Sequence, residues 1–237
     1  MGTDIYMIAE VRNPKTNKWE VVKDPVFPDS HDPDNLTCVP YTARNYNLFA
    51  ILANVRNGTG FAGCITGETL NTIAPPKGYP EDGSDSLKRD LQDHPYSYYD
   101  TPEYEDYPHV CNGYGASYYT LQELLDFNWE QPHRNYGALS EEEFKESVYK
   151  GKYPQGWSAE VWGDSIITVS EQEMRDIIEG RLPKEPGKHY YVHCVFPPRP
   201  YATEVGSFYS RTIPALKKLI PEGGTASDVR IIFDFDC

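Results

Sequence analysis

Eight tyrosines fall within one stretch of this 237-residue chain: Tyr96, Tyr98, Tyr99, Tyr104, Tyr107, Tyr114, Tyr118 and Tyr119. Asp93, Asp100, Glu103, Glu105 and Asp106 are threaded among the first five. Pro95, Pro102 and Pro108 bar a continuous helix, because proline lacks a backbone donor and clashes with the preceding turn. The plainer reading is a long loop pinned by its own rings. The sharper one is a surface that receives a flat ligand. Tyrosine suits that role, having an apolar face, a polar tip and little rotamer entropy to lose.

Gly58-Thr-Gly60-Phe61-Ala-Gly63 matches the spacing GxGxxG. It follows a predicted helix instead of joining a strand to a helix, so a helix-ending turn fits better than a dinucleotide loop. Successive amides in a glycine turn can still cradle an anion, and Arg44 and Arg56 flank the same helix. They are twelve residues apart, so they share one phosphate only if that helix is short or bent. His189-Tyr-Tyr-Val-His193 has the spacing of a helical metal pair. The run is β-branched and aromatic, however, and on a strand the two rings stand about 13 Å apart, too far for one ion. His31-Asp32-Pro33-Asp34 is an acidic turn without the Gly and terminal Glu of an EF-hand. Neither GxSxG nor HExxH occurs, and the acids follow no paired-carboxylate spacing. Asp4 enters the first strand beside Tyr6, an odd choice for pure core packing and equally a strand-end turn former. The candidate ligand-binding set is Asp4, Tyr6, Arg44, Tyr46, Arg56, Gly58, Gly60, Phe61, Tyr98, Tyr99, Tyr118 and Tyr119. No metal and no cofactor is expected, and no catalytic residue is assigned.

The elements that must position these residues can be read from periodicity. Ile5, Met7, Ala9 and Val11 alternate, Asn13–Asn17 is a turn, and Trp19 to Val22 returns as a hairpin partner. Prolines at 25, 28, 33 and 40 make the next segment loop. Leu48, Phe49, Leu52 and Val55 form a helical stripe over 45–55, with Thr42 or its successor as cap and Asn57-Gly58 as stop. A short helix is expected over 86–92 in an otherwise irregular region, of the kind that carries function in compact domains. Thr120-Leu-Gln-Glu123, Ser140-Glu-Glu-Glu143 and Ser170-Glu-Gln-Glu173 are capping boxes, predicting helices to about 129, 149 and 180. Strands are expected over 160–169, 189–196 and 229–236, and a helix over 208–219 in which Pro214 limits the start. The sum is an α+β fold in one domain, 1–237, with a mostly antiparallel sheet of about five strands, about five helices and long loops.

Composition narrows the function classes. The net charge of −14 argues against a protein that grips a nucleic acid polymer, which needs clustered Lys and Arg. It leaves room for a small anion held by two or three arginines, and its plainest meaning is a solvated surface. No apolar run spans a membrane, and the start has no basic n-region, so no membrane and no signal peptide are expected. Five scattered cysteines read as reduced thiols in a cytoplasm. Homo-oligomerisation stays open.

Three stretches resemble an uncharacterised protein family met in bacteriophage and prophage genomes. They are Gly2-Thr-Asp-Ile-Tyr6, the segment Arg44 to Gly63 (RNYNLFAILANVRNGTGFAG) and Val229-Arg-Ile-Ile-Phe-Asp-Phe-Asp236, together roughly a seventh of the chain. The family pattern has a His at the position of Tyr6 and a second His where this chain runs Gly115-Ala-Ser-Tyr-Tyr119. Joint chemistry by those two histidines would be lost here, which leaves binding. The resemblance implies a setting, evasion of host defence in the host cytosol, and not a mechanism. With the tyrosines, the glycine turn and the arginines, it implies a protein that binds, and in one version cleaves, a small nucleotide-like ligand such as a defence messenger. Two alternatives stand beside this: an acidic interaction protein that blocks a host factor, and a hydrolase of unknown substrate.

Overall fold

Alternating apolar residues at the start and end of the chain pair with one another. In the computed structural model, which describes residues 2–32, 34–93 and 114–236, strand Ile5–Arg12 runs antiparallel to strand Val229–Phe235. Ile5 stands opposite Phe235, and Glu10 opposite Arg230. Trp19–Val21 and Tyr114–Thr120 complete a four-stranded antiparallel sheet, in which the last strand lies between the first and Tyr114–Thr120. The turn into Trp19 is closed by the Asn13 amide on the Lys18 carbonyl, and Asn17 takes the left-handed conformation it tolerates (φ 57°).

The last strand is buried along its whole length, although its polar residues alternate with apolar ones. The reason is that both faces of the sheet are covered. On one face lies the helix Tyr46–Ala53, where Phe49 meets Phe235 at 4.9 Å between ring centroids and the Leu52 carbonyl accepts the Tyr119 hydroxyl. On the other lies the helix Asp85–Asp93, whose Leu87 packs with Ile8 and Ile232. Arg230 and Asp234 are therefore buried polar residues that must find partners inside.

The helix caps differ from the expectation in detail. Asn45, and not Thr42, caps the first helix by accepting the Leu48 amide, and left-handed Asn54 ends it three residues before Asn57. The Asn57 side chain instead holds the backbone of Leu70 from both sides. Thr120 and Ser170 form complete capping boxes, opening helices Leu121–Asp126 and Glu171–Ile178. Ser140 caps Glu141–Phe144 in one direction only, because the Glu143 carboxylate accepts the amides of Gln155 and Gly156. That helix continues as a π-helical turn over Lys145–Tyr149. A second π-helical turn, Phe208–Thr212, precedes the helix Ile213–Lys218, where Pro214 cannot donate to the turn before it.

The α+β class is what the molecule has, with mostly antiparallel sheets. The described residues divide into two compact units. Unit 1 draws on Met1–Asn57, Leu70–Glu130 and Ala202–Cys237 and contains the sheet above. Unit 2 draws on Gly58–Thr69 and Gln131–Tyr201. Its sheet places Tyr136–Ser140 between Trp157–Ser158 and His189–Val195, with the short strand Ile166–Thr168 pairing in parallel at the edge. The expected strand over 160–169 thus reduces to three residues. Leu139, Phe144, Met174, Val192 and Phe196 form the core of unit 2.

Candidate functional site

Cross-strand register sets a charge pair in the interior of unit 1. The Glu10 Oε2 accepts from Arg230 Nε at 2.9 Å and Nη2 at 2.7 Å, and its Oε1 accepts the Ser84 amide at 3.0 Å. Arg230 Nη1 donates to Asp82 Oδ1 at 2.7 Å, and Asp82 Oδ2 accepts the Trp19 indole N–H at 2.9 Å. The Arg230 guanidinium also lies 3.9 Å from the Trp19 ring centroid. Burial pushes the Asp82 carboxyl up, but the hydrogen bonds from Arg230 and Trp19 outweigh it and hold the group below its usual range. A buried ion pair is tolerated when its remaining hydrogen-bonding capacity is met, as it is here.

Trp19, Asp82 and Ser84 of this network line a cleft of about 450 Å³, together with Arg12, Asn17, Lys18, Gly83, Asp85 and Lys88. The first strand delivers Arg12, and the hairpin turn delivers Asn17 and Lys18. Ser84 caps the helix that delivers Asp85 and Lys88, since its hydroxyl accepts the Leu87 amide. The Arg12 guanidinium rests 4.7 Å from the Trp19 ring centroid. Its Nε is buried without a hydrogen-bond partner and stands 3.7 Å from Asp228 Oδ1, beyond hydrogen-bonding reach. Lys18 and Lys88 are exposed and make no ion pair among the described residues. Arg12, Lys18 and Lys88 therefore share one hollow with Asp82 and Asp85, and Arg12 also forms an ion pair with Asp228. Trp19 is only 6% exposed, so its ring offers little face for stacking.

The residues nominated from sequence lie elsewhere. Arg44 donates from Nε and Nη2 to the two carboxylate oxygens of Asp4, at 2.7 and 2.6 Å. The Asp4 amide donates to Asp236 Oδ1 at 2.5 Å, and a Cβ at Gly2 would collide with the Arg44 guanidinium. Arg56 donates to Thr3 Oγ1 at 3.1 Å and lies 5.6 Å from the Tyr46 ring centroid. The two arginines therefore reach neighbouring residues, because the helix between them has only eight residues and the chain reverses through left-handed Asn54 and Arg56. All three stretches behind the family resemblance meet at this point: the start through Asp4, the middle through Arg44 and the end through Asp236.

Tyr6 pairs across the strands with Asp234, whose carboxylate accepts the Tyr79 hydroxyl. Tyr118 is half-buried against the Lys77 ammonium at 4.5 Å. Tyr119 is a core residue, fully buried, with its hydroxyl shared between the carbonyls of Leu52 and Ala74. Tyr98 and Tyr99 lie outside the described residues. Gly58, Gly60 and Phe61 belong to unit 2. There the Gly60 amide donates to the Cys64 carbonyl and the Gly63 amide to the Gly60 carbonyl, so two amides of the glycine turn are engaged within it. Phe61 stands 60% exposed at its tip.

In unit 2, His193 has Nε2 3.7 Å from Glu160 Oε2, while His189 is exposed. Among the described residues no group of three or more His, Cys, Asp or Glu could hold a metal ion. Around the acidic turn, the Asp29 carboxylate accepts the amides of His31 and Asp32, which lowers its pKa. Arg12, Lys18, Trp19, Asp82 and Lys88 were missing from the nominated set. For Arg12, Lys18 and Trp19 the local signal was the basic turn that leads into the tryptophan. Comparison with protein-family models, with curated proteins and with solved structures gives no match.

Proposed function

We propose that unit 1 binds a small anionic, nucleotide-like ligand in the cleft between the first hairpin and the Asp85–Asp93 helix. The observation that carries this is the convergence of Arg12, Lys18 and Lys88 on one concave surface. Lysine ammonium groups and a guanidinium are the usual partners of phosphate oxygens. The guanidinium groups of Arg44 and Arg56 are engaged with Asp4 and Thr3, which favours this cleft over the start of the first strand. Binding, and not bond cleavage, is what these groups support. Both oxygens of Asp82 accept hydrogen bonds from Arg230 and Trp19, which leaves it a poor general base. The phage-type resemblance supports reading such a ligand as a host-defence messenger.

The test is calorimetric titration of the intact protein with ADP, ADP-ribose and cyclic dinucleotides, alongside thermal shift. At least one should bind, and Lys18→Ala and Lys88→Ala should each weaken it about tenfold, equivalent to about 1.4 kcal/mol. Their melting temperatures should stay near wild type, because exposed lysines contribute little to folding. Arg44→Ala should bind as the wild type does. If no member of this set binds, or if both lysine variants bind unchanged, the proposal is wrong.

A further inference from the structure

The cleft does not present cations alone. Asp82 and Asp85 line the same hollow as Arg12, Lys18 and Lys88. Asp82 is compensated from behind by Arg230 and Trp19. Asp85 is different: it is exposed, and its carboxylate makes no hydrogen bond or ion pair with the described residues. A bare polyphosphate drawn in by the three cations would meet this carboxylate as a like charge. A divalent cation carried by the phosphates would turn that repulsion into a contact. Magnesium is bound in this way, by one or two protein carboxylates with phosphate oxygens and water completing an octahedron. A cleft of this composition needs no all-protein metal cage.

The aromatic residue of the cleft points the same way. Trp19 is almost completely covered, with both the Arg12 and Arg230 guanidinium groups over its ring. A base therefore gains little from it, and recognition falls on the charged end of the ligand. Resting on the anion-binding reading above, we infer that the cleft takes a diphosphate or longer polyphosphate group as its magnesium complex, with Asp85 as the residue that meets the metal. The phosphate group could belong to a nucleotide or to inorganic polyphosphate, since the chemistry is shared. The ordinary role for Asp85 is different. An acid in the first turn of a helix favours the positive end of the helix dipole, and it would do so with no ligand at all.

The experiment is titration with inorganic pyrophosphate, ADP and adenosine, each in excess MgCl2 and in EDTA, on the wild type and on Asp85→Asn. Magnesium should tighten pyrophosphate binding at least about tenfold in the wild type. Asp85→Asn should lose that gain, and in EDTA should bind pyrophosphate as tightly as the wild type or more tightly, because a like charge has gone. ADP should bind within a few-fold of pyrophosphate or show the same magnesium dependence, whereas adenosine should not compete. Magnesium that leaves pyrophosphate affinity unchanged, or weakens it, overturns the inference while leaving anion binding in place. So does an Asp85→Asn variant that keeps the full magnesium effect and loses only melting temperature. Adenosine competing as well as ADP would overturn the assignment to polyphosphate. If neither ADP nor pyrophosphate binds with or without magnesium, the failure lies with the binding proposal itself.

Discussion

Glu10 and Arg230 are the residues whose chemistry is most constrained. Their side chains are 0% and 3% exposed, and each is hydrogen-bonded to a third group, Ser84 for Glu10 and Asp82 for Arg230. Removing one partner leaves an uncompensated charge in a low-dielectric interior. Glu10→Ala or Arg230→Ala should each destabilise by about 3–5 kcal/mol. Replacing both with apolar residues of similar volume, Glu10→Leu with Arg230→Met, removes the two charges together. The double variant should be less destabilised than either single one in urea denaturation, giving a large coupling energy in a double-mutant cycle. Strict additivity would show that the pair is not coupled. The same contact explains why the sequence concealed the cleft. Glu10 and Arg230 are 220 residues apart, and read singly they are two polar positions on alternating strands. Alternation predicts that such positions face water, and here they face a helix.

At the scale of elements, local chemistry was the most legible. Two of the three capping boxes form as their spacing predicts, because a cap needs only a side chain and an amide three residues on. The third is half-formed because a remote loop competes for Glu143. The first helix shows the limit of boundary reading. Thr42 had the right residue type, but Asn45 makes the cap, and its Nδ2 also donates to the Glu204 carbonyl. Asn45→Ala should cost about 1 kcal/mol, the usual worth of an N-cap, and Thr42→Ala less than about 0.5 kcal/mol. Chemical denaturation of the two variants checks this. Equal losses would mean that the Thr42 segment helps to start the helix. The tyrosines separate by strand geometry: Tyr118 and Tyr119 are adjacent, so they project to opposite faces, Tyr118 toward Ile8, Leu87 and Ile232 and Tyr119 into the core beside Phe233.

For the molecule as a whole, acid carboxylates dominate, and the pH response follows from those held in their charged form. Burial pushes the Glu123 carboxyl up, but hydrogen bonds from Lys77 and from the amide and hydroxyl of Thr120 more than offset it, so its pKa is lowered. Asp82 is lowered in the same sense. A group whose pKa falls on folding adds stability that is fully present above its unfolded value, near 4 for a carboxyl, and is lost as pH falls through the folded value. The urea midpoint should therefore hold between about pH 7 and pH 5 and fall below about pH 4. Glu123→Gln should be less stable at neutral pH and show a shallower fall. Both side chains are partly exposed, so each contribution is modest. A fall of the same depth in the variant would assign the acid sensitivity to other carboxylates.

The sequence by itself determined the α+β class, the first and last strands as separate amphipathic elements, and the helix starts after Thr120, Ser140 and Ser170. Each depends on residues within about a dozen positions of one another, where periodicity and backbone chemistry act directly. Only the tertiary structure decided which polar residues are buried. It sends Arg44 to Asp4 and Arg56 to Thr3, brings the three resemblance stretches together, and makes Arg12, Lys18 and Lys88 neighbours on one hollow. The physical reason is that a strand's second face and a charge's partner are supplied by distant segments. A side chain's chemistry is therefore not fixed until register and helix placement have set what stands opposite it.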